Sequence, residues 1–341
     1  MLRQDLIQLT YRLKNELSKP RRIVITTHQG PDGDAMGSSL ALYLFLKKRG
    51  HDATVIVPND YPEFLHWMPS NAEVVNFMRQ RAFAEELVEK ADFVFHMDYN
   101  VLGRSADMTR FLYKCKAKRV LIDHHPDPEM PCRLMFSETE VSSTCELLFC
   151  ILKRWDYNTI DRDIATCLYT GVMCDTGSFS YRSASAQTFL VAAELMRYGI
   201  DREKIYEEIY DNYSENRTRL MGYCLNEKLE VFPQYRTALI SLNLEEQRRF
   251  GFVIGDTEGF VNMPLSIKGL RFSAFFLEKE DKTKMSFRSK GNFSVNDFSK
   301  THYGGGGHIN AAGGDSKRPM NELIQQFREL LVTYEKELND E

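Results

Sequence analysis

Residues 22–48 read RIVITTHQGPDGDAMGSSLALYLFLKK. The first six are apolar and β-branched after Arg22 and run into a Gly/Pro/Asp loop, which predicts a short strand entering a turn. Beyond the loop, residues 35–48 predict a helix with Leu40, Leu42, Leu44 and Phe45 as its apolar stripe, stopped by Gly50. A strand, a polar glycine-rich turn and a helix in that order form the opening half of a βαβ unit.

The same alternation continues outward. Strands are expected over 53–57, 93–97 and 120–122, with helices near 85–90 and 143–155. The segment before the quoted stretch, MLRQDLIQLTYRLKNEL, reads as an amphipathic helix without the apolar core of a signal peptide. This pattern predicts an α/β fold, a doubly wound and mainly parallel sheet. Helices expected over 188–198, 203–210 and 217–229 look like a connector. Strands then return over 237–242, 270–278 and 284–289, followed by a glycine-rich turn and a final helix over 321–337. The expected organisation is a first domain over 1–190, connector helices over 191–229 and a smaller α/β domain over 230–341.

Composition narrows the function. The 341 residues are 43% hydrophobic and 27% charged, ordinary for a globular protein of the cytoplasm. No run approaches ~18 apolar residues, so no membrane span is expected. The seven cysteines form no CxxC pair and are odd in number, which argues for reduced thiols rather than disulfides or a zinc knuckle. A net charge of -4 argues against a basic track for long nucleic acid. A phosphate-bearing ligand would have to be held locally.

Four segments carry candidate chemistry. In the quoted loop, His28, Asp32 and Asp34 lie within seven residues, and the two carboxylates can face two different metal ions. The plainer alternative is a turn in which Asp34 or Ser38 caps the next helix. Asp98 follows the 93–97 strand and could equally cap a turn. Asp123-His124-His125 follows the 120–122 run, and its adjacent imidazoles point different ways, so one can bind metal while the other faces substrate. Asp123 can orient an imidazole from behind. Asp175, at the end of an apolar helix over 164–173, is either a ligand or a helix-end polar residue. In open α/β sheets such loops gather at the carboxyl ends of the strands. Five carboxylates and three imidazoles are therefore expected at one rim. Mixed His/Asp ligation suits Mn²⁺ better than Mg²⁺, and a shared carboxylate can hold two ions that activate a water and neutralise phosphate charge. No Ser-His-Asp set or cysteine nucleophile motif competes.

Near the other end, Gly304-Gly305-Gly306-Gly307-His308 precedes Ala311-Ala312-Gly313-Gly314. The glycines are expected to leave backbone N–H groups open to wrap an anion, with a helix of small residues starting behind them. Arg288, at a predicted strand end, suits bidentate phosphate binding. Phe293, His302 and Tyr303 could stack a base or pack in the core. His51, His66 and His96 are expected to be structural, and Cys167 and Cys174 to be core.

Taken in order, these motifs resemble those of the DHH phosphoesterase superfamily with its associated C-terminal domain, and within it the NrnA-like branch. The resemblance runs from about Arg22 to the final helix. It implies an oligoribonuclease acting on very short RNA and a phosphatase acting on 3′-phosphoadenosine 5′-phosphate (pAp). It further implies two Mn²⁺ ions, with Mg²⁺ or Co²⁺ as substitutes. By position, His28, Asp32 and Asp98 would hold one ion and Asp34, Asp98, His124 and Asp175 the other. His125 would contact the scissile phosphate, Asp123 would support the histidines, and Arg288, Gly304, Gly305, Gly306, Gly307 and His308 would bind substrate. The partners implied are short RNA oligonucleotides, pAp or dinucleotides, with no membrane and no long nucleic acid; the one assembly considered is a homodimer. The rival readings are a cyclic-di-AMP/pApA phosphodiesterase, a more distant exopolyphosphatase or pyrophosphatase, and a nucleotide-sensing protein without turnover.

Overall fold

A computed structural model describes residues 3–340. The chain divides after Asn212 into two compact units. That division falls inside the 191–229 segment expected as a connector, so the helices there are shared out between the units. No helix among the described residues is long and apolar enough to cross a membrane, and none of the seven cysteines is in a disulfide.

The first unit runs α1 (Gln4–Glu16), β1 (Arg22–Thr26), α2 (Gly33–Lys48), β2 (Asp52–Val57), β3 (Val75–Asn76) and α3 (Arg81–Lys90). It continues with β4 (Phe93–Met97), α4 (Thr109–Lys114), β5 (Lys118–Asp123), β6 (Leu134–Ser137), α5 (Thr144–Asp156), α6 (Arg162–Asp175), α7 (Ala186–Met196) and α8 (Arg202–Tyr206). Its six strands lie in the order β3-β2-β1-β4-β5-β6, and every pairing is parallel. The strands are short, with apolar middles such as Ile23–Ile25 and Val120–Ile122, as expected where helices cover both faces. The chain leaves β1 for β2 on one side and returns to β4 on the other, so the sheet reverses its winding between β1 and β4. A crevice at the carboxyl ends of the strands opens at such a point.

Two glycines let α2 and α6 pack backbone against backbone. A Cβ at Gly37 would lie 2.5 Å from the Cys167 carbonyl oxygen, and one at Gly171 would lie 2.2 Å from Cys145 Sγ and 2.9 Å from Asp34 Oδ1. No larger residue fits at either position without moving the helix that carries Asp34.

The second unit contains α9 (Glu215–Glu227), β7 (Leu229–Phe232), β8 (Thr237–Leu242), α10 (Leu244–Arg249), β9 (Phe272–Glu278), β10 (Thr283–Ser289) and α11 (Val295–Tyr303). It ends with β11 (Gly306–His308), β12 (Ala311–Ser316), α12 (Met320–Thr333) and α13 (Glu335–Asn339). The sheet order is β11-β12-β10-β9-β8-β7, with β8 and β9 parallel and the other pairs antiparallel. Its core is aromatic: Phe272, Phe276, Phe287, Phe293, Phe298, Tyr303 and Phe327 pack together. Phe293 and Tyr303 are thus core residues, not stacking platforms on the surface. His302 hydrogen-bonds Tyr334 at 2.8 Å.

Candidate metal centre

β1, β4 and β5 are neighbours at the middle of the parallel sheet, and each delivers candidate residues from its carboxyl end. β1 leads into His28, β4 into Asp98, and β5 ends on Asp123 with His124 and His125 directly after it. Asp32 is the N-cap of α2, accepting from Asp34 N–H at 3.0 Å and Ala35 N–H at 3.1 Å. The cap is therefore Asp32 rather than Asp34 or Ser38, and Asp34 is left to face inward from the first turn. Asp175 is the last residue of α6.

All eight side chains meet. His28 Nε2 lies 3.5 Å from Asp98 Oδ2 and 4.0 Å from Asp32 Oδ1. His124 Nε2 lies 3.5 Å from Asp98 Oδ1, 3.5 Å from Asp175 Oδ2 and 3.9 Å from Asp34 Oδ2. His125 Nδ1 donates to Asp123 Oδ1 at 2.8 Å, which leaves Nε2 as the nitrogen for proton chemistry. Among the groups of donors compact enough to hold an ion are His28, Asp32 and Asp98, and Asp34, Asp98 and His124. Asp98 belongs to both. Its backbone is left-handed at φ 65°, an uncommon conformation for a non-glycine residue and one found at functional sites.

Electrostatics favours cations in this cluster. Burial, then the charges of Asp98, Asp175 and Asp32, push the Asp34 carboxyl well above the usual range. For Asp98, burial opposes ionisation, but the His28 hydrogen bond and the nearby His125 and His124 outweigh it and hold the group far below that range. Burial would lower His28 and His124 too, yet the carboxylates around them raise both. His125 is lowered, chiefly by burial. Carboxylates this close cannot all ionise unaided. Divalent cations relieve the same repulsion directly, and oxygen and imidazole donors at this spacing suit them. The cluster could hold metal ions.

Two backbone amides and a hydroxyl that no sequence motif marks also reach the cluster. Thr144 N–H and Cys145 N–H donate to the two oxygens of Asp34 at 2.6 and 2.9 Å, and Thr144 Oγ1 donates to Asp98 Oδ1 at 2.9 Å. Ser143 and Glu146 have the spacing of a helix start, which signals where α5 begins but not what lies across its amides.

In the second unit, the glycine run departs from its expected form. Gly304 is the left-handed cap of α11 at φ 63°. Gly304 N–H and Gly305 N–H both turn back to the Ser299 carbonyl, and Gly307 N–H donates to Asn296 Oδ1 at 2.9 Å. Three of the four N–H groups expected to wrap an anion are thus already used, so the run is not an open nest. A Cβ at Gly305 would sit 2.0 Å from the Gly313 carbonyl oxygen, so this glycine serves close packing. Residues 311–316 form the strand β12, not a helix start, because small side chains allow β12 to lie against that backbone. Arg288, at the end of β10, pairs with Ala311, which pairs with His308. Directly paired residues point to one face of a sheet. Arg288 and His308 therefore flank the small Ala311 in a single row.

Comparison with known proteins places the chain in a family. Residues 22–172 match the DHH family, N-terminal domain, and residues 249–338 match the DHHA1 domain. The crystal structure of an exopolyphosphatase-related protein from Bacteroides fragilis is 41% identical, with a TM-score of 0.92 and 98% of each chain covered. The bifunctional oligoribonuclease and PAP phosphatase NrnA of Thermus thermophilus is 29% identical over 93% of this chain and 90% of its own. The Bacillus subtilis protein of the same name is 27% identical over 85% and 88%.

Proposed function

Since this chain belongs to the DHH family and carries a DHHA1 domain behind it, we propose that it hydrolyses short oligoribonucleotides and 3′-phosphoadenosine 5′-phosphate. It is a hydrolase acting on phosphate esters. The observation that carries the reading is Asp98, a buried carboxylate common to two donor groups. His28, Asp32 and Asp98 would hold one Mn²⁺ and Asp34, Asp98, His124 and Asp175 the other, with Mg²⁺ or Co²⁺ as substitutes. Bound there, the pair supplies a water of lowered pKa and neutralises charge on the phosphate.

The chain's own groups do the rest. Beside a phosphate anion the His125 imidazole favours its protonated form. It then donates from Nε2 to a phosphate oxygen while Asp123 balances the charge at Nδ1. Arg288 and His308 would bind a phosphate or sugar of the substrate, with Gly304, Gly305, Gly306 and Gly307 as the spacers that shape that edge. Seven cysteines with no disulfide among them suit a reducing cytoplasm.

Polyphosphate hydrolysis is the second reading, favoured only by the name of the Bacteroides fragilis relative. Purified protein with Mn²⁺, offered pAp, a pentaribonucleotide, pApA, cyclic-di-AMP and polyphosphate, separates the readings by product analysis. The expected products are AMP and phosphate from pAp and mononucleotides from the short RNA. Phosphate from polyphosphate alone, with pAp and RNA intact, would overturn the proposal.

A further inference from the structure

Thr144 touches two carboxylates that arrive from different elements. Its hydroxyl donates to Asp98, after β4, at 2.9 Å, and its N–H donates to Asp34, in α2, at 2.6 Å. The side chain is fully buried. The hydroxyl is not needed to start α5, because the N-cap is Ser143, whose Oγ accepts from Glu146 N–H at 3.0 Å.

The turn that carries Thr144 is itself clamped. The buried Glu146 carboxylate accepts from Ser142 N–H at 3.1 Å, from Ser142 Oγ at 2.5 Å and from Thr188 Oγ1 of α7 at 2.8 Å. Behind it, α6 approaches at Gly171, where no side chain fits between Cys145 Sγ and Asp34. Thr144 can therefore move little, and neither can the groups bound to it.

Each carboxylate oxygen has two lone pairs, so a hydrogen bond on one leaves another for a cation. With Asp98 Oδ1 tied to Thr144, Oδ2 is the oxygen turned toward His28 Nε2, 3.5 Å away, and Oδ1 stays on the His124 side. Without the tie, the carboxylate could rotate about its last bond and favour one half of the centre over the other. We propose that Thr144 is a positioning residue whose hydroxyl fixes which oxygen of Asp98 faces each half of the metal centre, and so sets cation affinity. This rests on the two-cation reading above.

The test is Mn²⁺ titration by calorimetry, with steady-state kinetics on pAp, for wild type, Thr144→Val, Thr144→Ala, Thr144→Ser and Ser143→Ala. Val and Ala should weaken Mn²⁺ binding by about 10–100-fold, the usual effect of losing a partner behind a ligand. They should lower kcat more than they raise KM, and Ser should restore both. Ser143→Ala should lower the melting temperature while Mn²⁺ affinity stays near wild type. Wild-type affinity and kcat in Val and Ala would overturn the proposal. So would a Ser variant as impaired as Val, or a Ser143→Ala variant as weak in Mn²⁺ binding. A wild-type protein that binds no Mn²⁺ would instead overturn the reading beneath it, and the proposal with it. Should Val fail to fold, Ala carries the same comparison.

Discussion

At the rim of the parallel sheet, His28, Asp34, Asp98 and His124 are each more than nine-tenths buried, whereas Arg288 and His308 on the mixed sheet are only partly so. Buried charge must be answered atom by atom, because an uncompensated ion in the interior costs several kcal/mol. Asp34 accordingly has an amide on each oxygen, and Asp98 sits between a hydroxyl and three imidazoles. A partly exposed row is answered by water and tolerates change. The rim should therefore fail abruptly and the row by degrees.

The largest effect is expected at Asp98. Replacing it with Ala removes a donor from both groups and should lower kcat with every substrate by on the order of 10³-fold or more. Metal analysis of the same sample should show cation loss, and near-normal turnover would dismiss its shared role. Arg288→Ala should be milder and selective. A hydrogen bond to a charged group is worth ~1.5–3 kcal/mol, so kcat/KM for pApA should fall by roughly 10–100-fold. An aryl phosphate should be nearly unaffected, and equal losses on both substrates would remove Arg288 from substrate binding.

These two sites were not equally legible in the sequence. His28, Asp32, Asp34, Asp98 and the Asp123-His124-His125 triplet each follow a short apolar strand, and parallel topology sends all such strand ends to one rim. Their convergence could be read without coordinates. Thr144 could not, since nothing local distinguishes an ordinary helix start from one whose amides meet Asp34 across 110 positions in the chain. The glycine run misled for the opposite reason. Glycine signals both an open anion loop and a backbone with no room for Cβ, and only tertiary packing against Gly313 separates the two. Likewise β12, built from Ala311-Ala312-Gly313-Gly314-Asp315-Ser316, lacks the β-branched residues that announce a strand.

That second reading of glycine has a thermal consequence. Gly305→Ala places a methyl against the Gly313 carbonyl and should destabilise the protein by about 1–3 kcal/mol, as overpacking does. A lowered melting temperature is the check, and an unchanged one would restore the open-loop view of this edge.

The smallest effect concerns a group beneath the rim. His96, bonded to the Tyr99 hydroxyl, is held down to about 3, by burial first and the Arg119 charge second. The unfolded chain takes up this proton near pH 6.5 and the folded chain only near 3. Neutral His96 thus favours the folded state fully above pH 6.5, and that advantage drains away as pH falls toward 3. A His96→Phe variant should show a shallower loss of urea midpoint between neutral and mildly acidic pH. Parallel losses in both proteins would mean that His96 does not set the acid limb.

Anomalous diffraction from a manganese-soaked crystal addresses the paired centre directly. Two peaks about 3.5–4 Å apart, one on each side of Asp98, are the expected result. A single peak remote from Asp98, or none at the rim, would contradict it.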